Sequence, residues 1–267
     1  MKTNCHTHTT YCDGTATAAE LAREAAEKGF DCLGFSGHSY VPMGEEWCMS
    51  PSGAESYKRE IAALREQYAG TLDILCGVEQ DTLSPSTTNG YDFVIGSVHY
   101  MQASGRLFSV DEAPEISRRA ITELYGGSFD AYAEEYFALV SRVCDVTGCD
   151  VIGHFDLVSK FSERLGTPES ERYLSAAFAA VEKLIPYGRP FEINTGAMAR
   201  GYRTAPYPSP AILRHIRRLG GSVIITSDCH RAGMLDYAFD TAKAQAREAG
   251  FESVTHLTAA GLVEEKI

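Results

Sequence analysis

The 267-residue chain has one tryptophan and no Pro/Gly-rich linker, low-complexity tract or internal repeat. Without a linker to divide it, residues 1–267 are expected to form a single domain. No run of about 18 apolar residues occurs, which excludes a helical membrane span. Residues 1–30 contain no apolar core of signal length. Basic residues are in deficit, 24 against 36 acidic ones, for a net charge of −12. That balance argues against a nucleic-acid-binding surface built on a broad basic face. It leaves room for a small anionic substrate, because bound cations reverse the local field. Eight cysteines are present but no CxxC pair, which disfavours thiolate-held zinc. With no secretory signal the cysteines do not suggest a disulfide framework. Cys5, Cys32, Cys76 and Cys149 lie in or beside apolar strand-like runs and are expected to act as small buried hydrophobes in a reducing cytoplasm. The stretch after the first apolar run, TTYCDGT, is not GxGxxG, so the phosphate turn of a nucleotide-binding open sheet is missing.

What the chain does contain is an alternation of short apolar runs and helical patterns. Strands are expected at 3–9, 32–38, 72–79, 93–99, 150–155, 190–195 and 222–228, with 253–257 a weaker eighth. Thr17 and Glu20 form a capping box before a helix that stops at Gly29. Thr167-Pro168 and Ser209-Pro210 each pair an N-cap residue with proline in the first turn, and 129–146 has helical spacing throughout. Alternating β and α elements imply a parallel sheet. Seven or eight strands in a chain of this length suit a closed (β/α) barrel better than an open sheet.

Six of the eight histidines, His6, His8, His38, His99, His154 and His230, fall at or just beyond the C-terminal end of an expected strand. Glu79 and Asp228 end the third and seventh strands, and Asp13 follows the first. In an α/β barrel that end is where chemistry is placed. A single buried histidine is usually structural, whereas acids and imidazoles repeated on six strand ends point to a metal site. His215, among basic residues in a helix, is expected on the surface, and His256 is left outside the site. Strand alternation would turn Asn4, His6 and His8 inward and pack Cys5 and Thr7 against the helices. Imidazoles suit zinc, iron or manganese, carboxylates can bridge ions, and nine ligands exceed the needs of one tetrahedral ion. Two or three divalent ions (Zn, Fe or Mn) are therefore expected.

The succession HTH, Asp-Gly, Gly-His, Glu79, SVH, GHFD and SDCH resembles the polymerase-and-histidinol-phosphatase (PHP) superfamily along the whole chain. GSVHYM (96–101), GHFDLVSKF (153–161) and EINTGAMARG (192–201) are similar to the monofunctional histidinol-phosphatase branch. The resemblance implies a distorted (β/α)7-type TIM barrel carrying a trinuclear cluster. It would assign His6, His8, Glu79 and Asp228 to the first metal. Glu79 would bridge to a second, completed by His99 and His154, and Asp13, His38 and His230 would hold the third. Two positions depart from the family: Asn4 stands where DxHxH is common, and Gly37-His38 where DH is common.

Clustered ions suit phosphomonoester hydrolysis, with a metal-bridging hydroxide as nucleophile and the phosphoryl oxygens clamped between ions. Lys160 and Arg200, with Arg203 as a third, are the cations expected to bind the phosphate. Asp13 and His230 are the candidates for assisting the leaving alkoxide. Loops 39–51, with Tyr40, Glu45, Glu46 and Trp47, and 102–114, a candidate lid, carry the acidic and aromatic groups that would complement the amine and imidazole of histidinol phosphate. The same ligands would also serve a phosphoesterase acting on nucleotides or short oligonucleotides, an amidohydrolase, or a metal-binding protein without catalysis.

Overall fold

The computed structural model describes residues 1–44 and 46–267, so Glu45 lies outside the described residues. The strands are β1 (Thr3–Asn4), β2 (Cys32–Phe35), β3 (Asp73–Asp81), β4 (Phe93–Ser97), β5 (Tyr100–Ala103), β6 (Arg106–Ser109), β7 (Val151–Ile152), β8 (Phe191–Asn194), β9 (Val223–Thr226), β10 (Ser253–Thr258) and β11 (Gly261–Lys266). The main sheet runs β1-β2-β3-β4-β7-β8-β9-β10-β11. Every neighbouring pair is parallel except β10 with β11. The ring closes irregularly, with the chain after β1 pairing with the chain after β9: His8 N–H donates to the Cys229 carbonyl (2.8 Å) and Cys229 N–H to that of His6 (3.0 Å). At the other end a hydrogen bond between Thr3 Oγ1 and His256 Nδ1 (2.8 Å) spans the gap. The result is the distorted barrel the sequence implied, with the expected eighth strand present and extended by an antiparallel partner.

Helices coat the barrel because one face of each is apolar. Helix 18–27 presents Leu21, Ala22 and Ala25, all buried, against Leu33 and Phe35 of β2. Its start is the expected capping box: Thr17 Oγ1 accepts from Glu20 N–H (3.2 Å) and Glu20 Oε2 from Thr17 N–H (2.9 Å). Elsewhere the boundaries move. The helix expected at Thr167 begins at Glu171, capped by Ser170, and 129–146 breaks into 129–140 and 143–147. Segment 102–114 is a hairpin rather than an open loop, since Ser104 (φ 49°) and Gly105 (φ 74°) form the left-handed two-residue turn that joins β5 to β6. No helix among the described residues is long and apolar enough to cross a membrane.

The barrel interior is closed below the site by an apolar layer of Cys5, Cys32, Leu75, Phe93, Ile95, Val151, Ile224 and Leu257. Cys5 thus points inward, against the alternation expected of it, while Asn4 turns outward to Ser227 and Leu235. The reason is that β1 spans only two residues, so its pleat does not continue through Cys5 and His6. Phe93 fills the centre of the layer. A Cβ on Gly77 would lie 2.2 Å from its ring and one on Gly34 2.8 Å. These glycines are spaces for an aromatic ring. Gly77→Ala is therefore expected to destabilise the fold by about 1–3 kcal/mol through overpacking. Urea denaturation should show the loss, and the double variant Gly77→Ala/Phe93→Leu should recover most of it.

Candidate metal centre

The C-terminal ends of the strands converge on the Glu79 carboxylate, which is 1% exposed. Its Oε1 lies 2.8 Å from His154 Nε2 and 3.2 Å from His99 Nε2, and accepts from Ser97 Oγ (2.6 Å). Its Oε2 lies 2.9 Å from His38 Nδ1, 3.2 Å from His6 Nε2 and 3.5 Å from His8 Nε2. Asp228 Oδ1 faces the same two imidazoles, 3.5 Å from His6 Nε2 and 3.2 Å from His8 Nε2. Asp13 gathers the outer side, with Oδ2 3.1 Å from His230 Nε2 and Oδ1 3.5 Å from His8 Nδ1 and 3.6 Å from His38 Nε2. Ligand atoms within 4.8 Å of one another form four groups: His8/Asp13/His38/His230, His6/His154/Asp228, His6/His8/Glu79 and His38/Glu79/His99. All nine expected ligands fall in at least one group. The grouping is less partitioned than the resemblance implied, since His38 sits with Glu79 as well as with Asp13, and His154 with His6.

Backbone geometry delivers these side chains. Asp228 occupies the left-handed region (φ 48°), which few residues other than Gly, Asn and Asp enter cheaply. A Cβ on Gly196 would lie 2.7 Å from its Oδ2, so that glycine is needed for Asp228 to fit. The two departures from the family pattern also have local causes. Asn4 Nδ2 donates to Ser227 Oγ (2.8 Å) and the Leu235 carbonyl (3.1 Å), while Oδ1 accepts from His6 N–H (3.1 Å). The amide thereby ties the His6 segment to the one preceding Asp228, using donors that a carboxylate lacks. At Gly37 a Cβ would sit 3.2 Å from Cys12 Sγ and 3.3 Å from Met49 Sδ, leaving little space for an acid.

Two buried carboxylates behind the ligands escaped the sequence reading. Glu192 Oε1 lies 2.5 Å from His6 Nδ1 and accepts from Thr226 Oγ1 (2.6 Å), and its Oε2 accepts from His154 N–H (2.6 Å) and Asn194 Nδ2 (2.9 Å). Asp81 Oδ2 accepts from His99 N–H (2.9 Å) and lies 3.1 Å from its Nδ1. Such partners fix ring orientation and tautomer in metal-binding histidines. The signal for Asp81 was present, two residues past Glu79 on the same face of one strand.

The donor set fits divalent cations. His6 Nε2, His8 Nε2 and Glu79 Oε2 are fully buried, face one another and have no hydrogen-bond partner. A cation at that point satisfies all three, whereas leaving buried polar atoms unpaired is costly. Burial, with His230 and His38 nearby, lowers the His8 pKa to about 3, so this imidazole is neutral and ready to ligate. Burial also acts to lower His38, but the carboxylates of Glu79 and Asp13 override it and hold the pKa at about 9. Burial would raise Glu79, yet the surrounding imidazoles keep it well below the usual carboxylate range.

A cavity of about 410 Å³ opens over the cluster. It is lined by Asp13, His38, Glu79, His99, His154, Asp228 and His230, together with Trp47, Tyr100, Asp111, Glu112, Lys160 and Tyr202. Trp47 stacks on Tyr100 (5.9 Å) and stands edge-on to His38 (4.8 Å). Glu46 and Tyr40 do not line this cavity, and Tyr40 lines a neighbouring one. The three expected phosphate cations are differently employed. Arg200 lines the cavity and donates to Asp228 Oδ2 (2.9 Å) and a His230 nitrogen (2.9 Å). Lys160 lines it too, but its ammonium already holds the Asp111 carbonyl (2.7 Å) and Oδ2 (3.1 Å). Arg203 is a correction: it lies outside the cavity lining, bonded to Ser159 and stacked on Tyr207 (4.6 Å). His215 is another. It is 4% exposed and stacks on Phe178 (4.1 Å), because its helix turns that face onto helix 171–184. His256, left outside the site by the sequence, lies at the opposite end of the barrel against Thr3.

A family model described as the PHP domain matches residues 4–196. The chain belongs to the PHP family. It is 29% identical over 262 residues to the probable histidinol-phosphatase of Deinococcus radiodurans, covering 94% of each chain. It is 26% identical over 263 residues to the histidinol-phosphatase of Bacillus subtilis, covering 90% of this chain and 97% of that one. Its fold is similar to that of the histidinol phosphate phosphatase of Lactococcus lactis complexed with zinc, L-histidinol and phosphate, with a TM-score of 0.73, 19% identity and 98% coverage of both chains.

Two outcomes follow for this PHP chain. Glu192→Gln should weaken metal binding about 10–100-fold, read as metal retained per chain after dialysis against a graded chelator, with the far-UV circular dichroism unchanged. At pH 7.5 the metal-free His38 is protonated, so an incoming ion must expel that proton. Metal affinity should rise with pH up to about 9. Calorimetry in buffers of different ionisation enthalpy should detect the released protons, and a buffer-independent heat would refute it.

Proposed function

We propose that the chain is a metal-dependent histidinol-phosphatase, converting L-histidinol phosphate and water to L-histidinol and phosphate within one domain spanning residues 1–267. The observation that carries this reading is the lining of one cavity, where the candidate metal ligands meet acids, cations and aromatic rings. His6, His8, Glu79 and Asp228 would hold a first ion, Glu79, His99 and His154 a second, and Asp13, His38 and His230 a third. Zinc, iron and manganese all suit this donor set, and eight free thiols suit a reducing cytoplasm. Ions bound there supply Lewis acidity towards the phosphoryl oxygens and towards water.

The protein's own groups do the rest. Arg200, braced by Asp228, presents a planar guanidinium to the phosphate beside the cluster. Lys160 retains one ammonium hydrogen for the cavity after serving Asp111. Asp13 and His230, 3.1 Å apart, would hold the third ion where its charge would stabilise the leaving alkoxide. In the same lining Trp47, Tyr100 and Tyr202 offer ring faces and edges to the substrate imidazole. With Asp111 neutralised by Lys160, the Glu112 carboxylate is the acid left to receive the substrate ammonium.

Assayed on a panel of phosphomonoesters with added Mn, Fe or Zn, histidinol phosphate should exceed mononucleotides in kcat/KM by roughly 100-fold or more. Equal turnover of nucleotides or phosphodiesters would overturn the substrate assignment. Glu112→Gln should raise KM for histidinol phosphate about tenfold, near 1.4 kcal/mol, and leave turnover of an aryl phosphate that lacks an ammonium group unchanged.

A further inference from the structure

Eight cysteines are present, and all are reduced. Two of them touch away from the metal centre: Cys144 Sγ and Cys149 Sγ are 3.3 Å apart. Cys144 belongs to the five-residue helix 143–147, and Cys149 follows Gly148, whose left-handed backbone (φ 65°) folds the chain back before β7. The other side of Cys149 is blocked. A Cβ built on Gly96 of β4 would already lie 2.8 Å from Cys149 Cβ and 2.9 Å from its sulfur. The Cys149 side chain is therefore wedged between a strand backbone and one partner, the Cys144 thiol. A disulfide requires the two sulfurs to approach by only about a further 1.3 Å.

We propose that Cys144 and Cys149 form a reversible redox modification site, closed to an intramolecular disulfide by hydroperoxides. The thiolate of one cysteine attacks one peroxide oxygen, forming an S–O bond and breaking the O–O bond, with hydroxide leaving. The other sulfur then attacks the resulting sulfenic sulfur, forming the S–S bond and expelling the second hydroxide. The two thiol protons convert both hydroxides to water, so the sulfurs lose two electrons and hydrogen peroxide gains them. At 3.3 Å the S–H of either cysteine can donate to the other sulfur, so whichever thiol is deprotonated first has its partner already in place. Both cysteines are buried, Cys149 more than Cys144, but the five-residue helix that carries Cys144 also carries Val146, 49% exposed. Dithiols in a reducing compartment close transiently in this way when oxidant rises. The link would tie the turn before β7 to the helix behind it, at the strand base opposite His154. It does not depend on which phosphoester is hydrolysed.

The test treats the metal-loaded protein with a small excess of hydrogen peroxide and then maps peptides without reduction. The expected result is two fewer titratable thiols, a Cys144–Cys149 link and full recovery with dithiothreitol. Cys144→Ser and Cys149→Ser should each abolish the link and slow thiol consumption, and in one of the two the remaining thiol should accumulate as a sulfenic acid, trapped by a dimedone probe. A link between any other cysteines, or unchanged oxidation kinetics in both variants, would overturn the proposal, and histidinol phosphate turnover measured in parallel reports separately on the catalytic reading.

Discussion

A buried carboxylate governs this molecule. Glu79 sits at the centre of the barrel mouth with its second oxygen unpaired by any hydrogen-bond donor. Among the described residues no lysine or arginine pairs with it; a ring of imidazoles faces the charge, and behind them Glu192 and Asp81 hold two of those rings in place. Adding acids behind histidines is costly for an empty pocket, since it concentrates negative charge in a low-dielectric space. It becomes favourable once divalent charge is placed among them, so the protein's electrostatics are arranged for an occupied centre.

The apolar layer beneath the centre keeps that arrangement dry and stiff. Phe93 lies across the two strand glycines, Gly34 and Gly77, so β2, β3 and β4 cannot shift relative to one another without displacing a ring. Those strands deliver His38, Glu79 and His99. The positions of the ligands are thus fixed from below by packing and from behind by hydrogen bonds. The cavity wall opposite is carried by the β5–β6 hairpin and the segment after it, held to the barrel through the Lys160–Asp111 pair.

Much of this was legible from residue order. Strand ends announce themselves when His, Glu or Asp falls at the end of an apolar run, and eight of the nine expected ligands share that mark, Asp13 lying in the turn beyond the first strand. The failures had specific causes. Alternation mispredicted Cys5 and Asn4 because the first strand pairs over only two residues. Arg203 follows the right strand, but its neighbours Ser159 and Tyr207 hold it outside the cavity, a choice made by tertiary contacts. His215 looked basic and exposed by its helix neighbours, yet a ring on another helix covers it. Glu192 was passed over because a carboxylate inside a barrel strand has no sequence signature separating a ligand from the group that holds one.

Asp228 carries a consequence for how such sites diversify. Its left-handed backbone restricts the position to Gly, Asn or Asp at low cost, and of these only Asp offers a negative oxygen. Glu79, on the extended ladder of β3, is under no such restriction and could use the longer acid to reach across the mouth. Side-chain length at these two carboxylates is therefore dictated by the handedness of the backbone beneath each. Exchanging the acids between positions would fail for conformational reasons before any preference of the bound ion was consulted.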